Sequence, residues 1–560
     1  MTKFVIYQVL PRLFGNYNTN LKPHGTIEEN GCGKFNSFTP KALKEIKQLG
    51  VTHIWYTGVI EHATQTDYSA FKIQKDNPTI VKGKAGSPYA IKDYYDVDPD
   101  LAEDIPNRMT EFENLVDRTH KAKLQVIIDF VPNHVARQYH SDAKPEGVSD
   151  LGEYDHPEWF FSPLNNFYYI PGQAFSPHFE IKNYVETPAK ATGNDHFSPS
   201  PTINDWYETV KLNYGVNYVE GMQKQFHPIP DTWLKMRDIL LFWASKKVDG
   251  FRCDMAEMVP VEFWGWVIPQ IKTMFPEVIF IAEVYNPAEY RNYLNNGKFD
   301  YLYDKVGMYD MLRNATSKNY AVRGLTLTWQ SVSDIQEKML NFLENHDEQR
   351  IGSGFFAGSG IYAQPAMIIA ATLTKGPVMI YSGQELGELG MDFEGYSGVD
   401  GRTTIFDYWG VKSIQDWANG GKFDGKMLTE EQKELREFYN KLLNITLTEK
   451  AVKEGIMFDL VYANLDNPKF NTHEQFAYLR KQEEELLLIV TNFHDKHLET
   501  EVLIPQDAFK CLDIIENTIY SCVNLLDKNE VIDEIVLSTQ NFFTCKVPAW
   551  KGKIYKLTKK

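Results

Sequence analysis

Four short stretches of this chain end an apolar run in side chains that move protons or carry charge. IIDFVPNH holds Asp129, Asn133 and His134, and DGFRCDM holds Arg252 and Asp254. IFIAEV holds Glu283 as its fifth residue, and FLENHDEQR holds His346, Asp347 and Arg350. An apolar strand that ends in a carboxylate loses solvation unless that carboxylate faces a polar site. Any one stretch alone reads as an ordinary strand-end ion pair or helix cap. All four in order, on suitable strands, predict one pocket in which Asp254, Glu283 and Asp347 converge with Arg252 and two histidines. That set suits glycoside hydrolysis: one carboxylate attacks and another carries a proton to the leaving oxygen, the pair being roughly 5–5.5 Å apart in a retaining enzyme. Crowding is expected to raise the pKa of one member and keep it protonated as the acid. Arg252, two residues before Asp254, shares its strand face and is expected to keep it ionised and oriented.

Four strand ends meet in one place only if a parallel sheet gathers them. The first four hundred residues alternate strand-like runs with amphipathic segments: 4–10, then a helix over 40–50, a strand over 51–60, a helix over 109–124 and a strand over 124–131. The rhythm resumes with a helix over 231–248, a strand over 248–255, a helix over 263–275 and strands over 278–284, 299–306, 339–347 and 377–383. Strand, helix, strand in this order means βαβ units. Eight parallel strands predict a (β/α)8 TIM barrel, an α/β fold whose active site lies at the C-terminal strand ends. Residues 135–225 break the pattern with Pro, Asn, Gly, His and aromatics, too long a stretch for a loop, and are expected to form an inserted B domain after strand 3. From about 448 short alternating strands predict a C-terminal antiparallel β-sandwich. The expected division is barrel over 1–134 and 226–447, insert over 135–225 and β domain over 448–560.

Composition narrows the partners. A net charge of −17 and a pI near 5.4 argue against nucleic acid and anionic membrane, which reward basic patches. Five widely spaced cysteines without a CxxC pair suit free thiols rather than a disulfide framework or a zinc site. The N-terminal apolar run is short and broken by Gln8, unlike a secretory leader, and no stretch approaches the ~18 apolar residues of a membrane helix. If Met1 is the natural start, a cytoplasmic protein is expected. Aromatics make 14 % of the chain, which suits either large cores or stacking on sugars.

These stretches resemble, in order, the four motifs of the α-amylase family of glycoside hydrolases. D-x-x-x-N-H matches Asp129–His134, G-F-R-x-D matches Gly250–Asp254, the strand ending in Glu matches Ile281–Glu283, and N-H-D matches Asn345–Asp347. PYAIKDYYDVDP (88–99) and GPVMIYSGQELG (376–387) extend the resemblance across nearly the whole chain. The resemblance implies Asp254 as nucleophile, Glu283 as acid/base and Asp347 as transition-state stabiliser. It implies that Tyr89 stacks on the sugar at the cleavage point and that His134 and His346 bind its hydroxyls. Asp129 is expected to support Arg252, and Arg350 to pair near Asp347. The implied activity is hydrolysis of α-1,4 bonds in starch-derived oligosaccharides, with glucanotransferase action or cyclodextrin or pullulan degradation as alternatives, and with no cofactor. A binding chain without catalysis is disfavoured because all three carboxylates are retained.

Two departures matter. Where many relatives have Lys-His after the nucleophile this chain has Glu257 and Met258, so contacts beyond the cleaved bond must differ. The nearest match to the B-domain motif is Val210–Asn213, whose Lys211 resembles the form in neopullulanase-like members. Many relatives bind calcium between barrel and B domain. Here Asn133 would supply one oxygen and the backbone of Met258 another, but Lys211 replaces the third ligand. No metal is therefore expected, with the Lys211 ammonium standing in for it. The aromatic cluster Trp159–Tyr169 is expected either to line sugar subsites or to form the core of the insert.

Overall fold

The computed structural model describes residues 3–560. Eight strands close a parallel barrel: β1 (Val5–Val9), β2 (His53–Tyr56), β3 (Gln125–Phe130), β4 (Gly250–Cys253), β5 (Ile279–Ala282), β6 (Tyr301–Tyr303), β7 (Met339–Phe342) and β8 (Val378–Tyr381). β1 closes the ring by pairing with β2 (Ile6 opposite His53) and with β8 (Val5 opposite Val378). Every predicted barrel strand is present. Inward residues such as Ile6, Trp55, Ile127, Ile281, Tyr303 and Phe342 fill the interior as one buried cluster. The alternate outward residues pack beneath the helices, so these strands are apolar on both faces.

The helices between strands follow from local signals. The helix α1 (Pro40–Gln48) opens with Thr39, whose side chain accepts from Ala42 N, and with proline in its first turn. The helices α2 (Arg108–Lys121), α3 (Asp231–Ser245) and α4 (Val261–Met274) each present a buried stripe to the barrel.

Two of the motif-bearing strands are shorter than their apolar runs. β3 ends at Phe130, and His134 begins a separate ladder, His134–Ala136 against Thr209–Lys211. His134 therefore belongs to the first strand of the inserted stretch rather than to the barrel. β7 ends at Phe342, which leaves Asn345–Asp347 in the loop beyond it. The stretch between β3 and α3 contains two further ladders, Tyr169–Ile170 with Ala189–Lys190 and Val216–Asn217 with Gln223–Lys224. Its small core joins Ile170, Phe175 and Ala189 to Ile80 of the loop after β2.

The C-terminal part is antiparallel. Its strands are β9 (Ile456–Asp459), β10 (Gln475–Gln482), β11 (Glu485–Asn492), β12 (Leu498–Leu503), β13 (Thr518–Asn524), β14 (Asp527–Leu537), β15 (Phe542–Val547) and β16 (Lys551–Lys559). Six form a sheet in the order β9-β10-β11-β16-β13-β14, and β12 pairs with β15. Leu488 and Val490 of β11 pack with Val502, Phe543 and Val547 of the two-stranded ladder. Leu487 and Ile489, on the other face, join the core shared with the barrel. Arg480 extends this joint by donating to Leu373 O at 2.8 Å. Burial on both faces explains why ELLLIV is an unbroken apolar run.

All five cysteines are free. No described helix is long and apolar enough to cross a membrane.

Candidate active site

Arg252 is the centre of the site. It lies on β4, whose first residue must be small: a Cβ on Gly250 would stand 2.6 Å from the Ile279 side chain of β5. The Arg252 guanidinium is 1 % exposed, with the rings of Trp55, Tyr89 and Tyr303 5.2–5.5 Å from it. One terminal nitrogen meets Asp254 Oδ1 at 2.7 Å and the other meets Glu283 Oε2 at 2.8 Å. Asp129 Oδ1 is at 3.5 Å, and the other Asp129 oxygen accepts from Trp55 Nε1 at 3.0 Å. The expected support of Arg252 by Asp129 is thus a looser contact than the two on Asp254 and Glu283.

Glu283 follows β5 and is held from two sides. Met255 N donates to Oε2 at 2.8 Å, and the Tyr285 hydroxyl donates to Oε1 at 2.6 Å. Met255, directly after Asp254, has φ +42°, a left-handed conformation that turns its N–H toward Glu283. Glu257 accepts from Tyr285 N and Asn286 N at 3.1 and 3.0 Å, so it braces the loop that carries Tyr285.

Asp347 is positioned by a turn. Asn345 Oδ1 accepts from Asp347 N and Glu348 N, each at 2.9 Å. The His346 imidazole reaches Asp347 Oδ2 at 3.1 Å through Nε2 and also contacts the Tyr89 hydroxyl. The Gln8 side-chain N–H, which only donates, meets His346 Nδ1 at 2.7 Å, so Nδ1 accepts and Nε2 carries the proton. Burial first, and then the Arg252 charge, hold the His346 pKa well below its usual value. His134, 5.2 Å from the Trp206 ring, is likewise neutral, pushed down to about 3 by burial and by the charges of Lys211 and Lys82.

Four carboxylates thus gather around one guanidinium. Burial, then Glu283 and Asp347, lift the pKa of Asp254 well above the carboxylate range despite Arg252. Arg252, at 2.7 Å, acts in the opposite direction and favours the ionised form of Asp254, the direction expected of it. Asp129 is pushed up to about 6, chiefly by burial. Asp347, with 41 % of its side chain open to the cleft, is pushed up to about 7 by the enclosing walls and then by the Glu283 charge.

These groups face a cavity of about 340 Å³ lined by Tyr89, His134, Asp254, Glu283 and Asp347. Of the residues expected to bind or act on substrate, these five are on its wall. Arg252 and His346 stand behind it, buried against Asp254 and Tyr89, where they orient the lining groups. Gln8, Trp55, Tyr303 and Tyr285 were not singled out. Gln8 was the one of these with a visible signal, a polar residue interrupting a buried strand.

Arg350 does not pair with Asp347. It is buried against Glu344 at 2.8 Å and against the Tyr381 ring, and Arg402 instead donates to Asp347 O at 2.6 Å. A short loop separates Arg350 from Asp347, and the buried Glu344 carboxylate is the nearer charge. Within the aromatic cluster, Phe167, Tyr168 and Tyr169 are buried core, Trp159 is half exposed, and none lines the cavity.

At the junction of barrel and insert, Lys211 Nζ donates to Asn133 Oδ1 and, at 3.2 Å, to Met258 O, and it pairs with Asp195 at 2.7 Å. An ammonium thus occupies the position where these oxygens would meet a metal, so the donor set does not fit calcium, which needs six to eight oxygens.

The family model described as alpha amylase, catalytic domain, matches residues 8–442. Alpha-amylase 3 of Dictyoglomus thermophilum is 25 % identical, over 72 % of this chain and 74 % of that protein. Neopullulanase 2 of Thermoactinomyces vulgaris is 23 % identical, over 69 % of this chain and 57 % of that protein. The crystal structure of an alpha-amylase from Geobacillus thermoleovorans complexed with acarbose has the same fold, with a TM-score of 0.63, 18 % identity and coverage of 100 % of this chain and 98 % of that one. With a barrel of eight parallel strands and a match across most of its length, the chain belongs to the α-amylase family.

Proposed function

We propose that the chain is a retaining glycoside hydrolase that cleaves α-1,4-glucosidic bonds in starch-derived oligosaccharides. The observation that carries this reading is the single Arg252 guanidinium touching Asp254 at 2.7 Å and Glu283 at 2.8 Å, one through each terminal nitrogen. Such a bridge favours the roughly 5–5.5 Å separation of a retaining pair over the ~6.5–9.5 Å of an inverting pair. Asp254 attacks the anomeric carbon and the bond to the leaving oxygen breaks as Glu283 hands that oxygen a proton. Glu283, now ionised, takes a proton from water as the water displaces Asp254, which restores both groups. Asp347 grips hydroxyls of the reacting sugar, Tyr89 supplies the face on which that sugar lies, and His134 binds a neighbouring hydroxyl. Arg252 and His346 position Asp254, Glu283, Tyr89 and Asp347 from behind. The names of the relatives, amylase and neopullulanase, agree with an α-glucan substrate.

Proton NMR of maltodextrin hydrolysis tests the reading: the first product is expected in the α configuration, and initial β product overturns it. Transfer to a second sugar runs through the same covalent intermediate. Longer oligosaccharides arising from maltotriose would identify that activity.

A further inference from the structure

One end of the cavity is closed by three segments that touch in series. Lys82 comes from the loop after β2 and Glu208 from the inserted stretch. They pair at 3.0 Å, are 9 % and 4 % exposed, and both line the cavity. The Lys82 ammonium lies 5.3 Å over the Tyr207 ring. The Tyr207 hydroxyl faces that of Tyr396 in the loop after β8, and the Tyr396 ring is 5.2 Å from that of Phe406. Ala85 N then returns the chain of contacts to the β2 loop by donating to Phe406 O at 3.0 Å. A glucan running through an open groove would need these segments apart.

Barrel topology gives the closed end its direction. The loops after β2 and β8 flank β1, and the loops after β4 and β5, which carry Met255 and Tyr285 beside Glu283, rise across the ring from it. Glu208 rides on the ladder that carries His134, because Arg137 N donates to Glu208 O at 2.9 Å and Ala136 pairs with Thr209. The leaving group departs beside Glu283, so the closed end holds the non-reducing portion of the substrate. The terminal sugar of an α-1,4 chain has free 4- and 6-hydroxyls there, which an ammonium meets as donor and a carboxylate as acceptor. A cavity of about 340 Å³ suits a short saccharide and lies at the small end of the ~300–1,000 Å³ range of ligand sites.

We propose that the buried Lys82–Glu208 pair is a terminal subsite that reads the free hydroxyls of the non-reducing end, so that the enzyme attacks chains from that end and releases a short product of fixed length. This rests on the hydrolysis proposed above. The test compares maltoheptaose with the same chain whose terminal 4- and 6-hydroxyls are tied by an ethylidene group. The blocked chain is expected to be cleaved with kcat/KM about 100-fold lower, because it leaves a buried charged pair without its hydroxyl partners. Cleavage of both chains within about threefold overturns the proposal. Failure to cleave the free-ended chain overturns the hydrolysis on which it rests, and is separable because it does not depend on the terminal group. In Lys82→Ala/Glu208→Ala, which removes both charges and strands neither, the discrimination is expected to fall by at least about tenfold. An unchanged ratio in a folded double variant overturns the assignment to this pair.

Discussion

Replacing Lys211 by methionine should uncouple the insert from the barrel. The side chain is 2 % exposed, and its ammonium joins Asn133 of the β3 end, Asp195 of the insert and Met258 of the β4 loop. Lys211→Met keeps most of the stem volume and removes the donor. Asn133 Oδ1 and Met258 O then lose a donor in buried surroundings, at about 1–3 kcal/mol for each unsatisfied group. Asp195, partly exposed, recovers water and adds less. Relief of the ammonium's own desolvation, which pulls the Lys211 pKa down, offsets part of this. A net loss of about 2–4 kcal/mol is expected, a large fraction of the ~5–15 kcal/mol of a typical domain. Chemical denaturation followed by tryptophan fluorescence measures it. Thermal unfolding of the wild type should be unmoved by EDTA or millimolar calcium. Lys211→Asp, which exchanges the cation for a ligand, should gain stability with calcium, by about 2.7 kcal/mol at a hundredfold excess over Kd. A melting temperature of the wild type that rises with calcium and falls on chelation would refute the stand-in role, as would a Lys211→Met variant as stable as the parent.

Asp254→Asn is expected to lower kcat on maltodextrin by about 10⁴-fold or more while the variant unfolds no earlier than the parent, because the change removes a nucleophile and a desolvated charge together; near-normal turnover would displace Asp254 from its role. Glu283→Gln should be as damaging on glucans but far milder on α-glucosyl fluoride, whose leaving group needs no proton, and equal losses on both substrates would argue against Glu283 as the acid. Tyr285→Phe should fold normally and lose about tenfold in kcat by removing one hydrogen bond to Glu283; unchanged kcat would make that bond incidental. The acid limb of kcat/KM, set by a coupled cluster in which Asp254 is raised and Asp347 is pushed to about 7, should lie near neutrality, and a limb near pH 4 would contradict the clustering. The same raised Asp347 pKa means that the native state keeps a proton the unfolded chain releases. Its contribution to stability is full below the unfolded value of 3.8 and declines as pH rises toward about 7, a slope that Asp347→Asn should flatten in pH-dependent denaturation.

The barrel was legible because each βα unit writes its own signal. An apolar run followed by an amphipathic helix recurs locally, with a carboxylate at or just beyond four of the strand ends, and each strand pairs with its neighbour in sequence except where the ring closes. Less legible were features set by contacts across the chain. The run IIDFVPNH looks like one strand end, but Pro132 has no N–H to extend a ladder, and His134 finds a partner strand about 75 residues on, at Lys211. Arg350 lies close to Asp347 in sequence, yet a buried glutamate claims it. Tyr285 and Lys82 carry no local pattern at all: one matters through a hydroxyl aimed at Glu283, the other through a loop that meets the insert. Gln8 shows the intermediate case, a polar residue inside a buried strand whose presence hints at a partner without naming His346.

In the proposed mechanism, the arrangement around Glu283 also determines which of its oxygens can hold the proton it donates. Oε2 faces two groups that only donate, Met255 N at 2.8 Å and the Arg252 guanidinium at 2.8 Å. A proton on Oε2 would point at both. Oε1 faces the Tyr285 hydroxyl at 2.6 Å, which donates now and accepts after rotating about its C–O bond. Protonated Glu283 therefore carries its proton on Oε1, on the side of the loop after β5, while Oε2 stays tied to Arg252. Arg252 meanwhile keeps its contact with Asp254 through the other nitrogen, so a proton leaving Asp254 and one arriving at Glu283 change the charges at the two ends of one guanidinium without moving it.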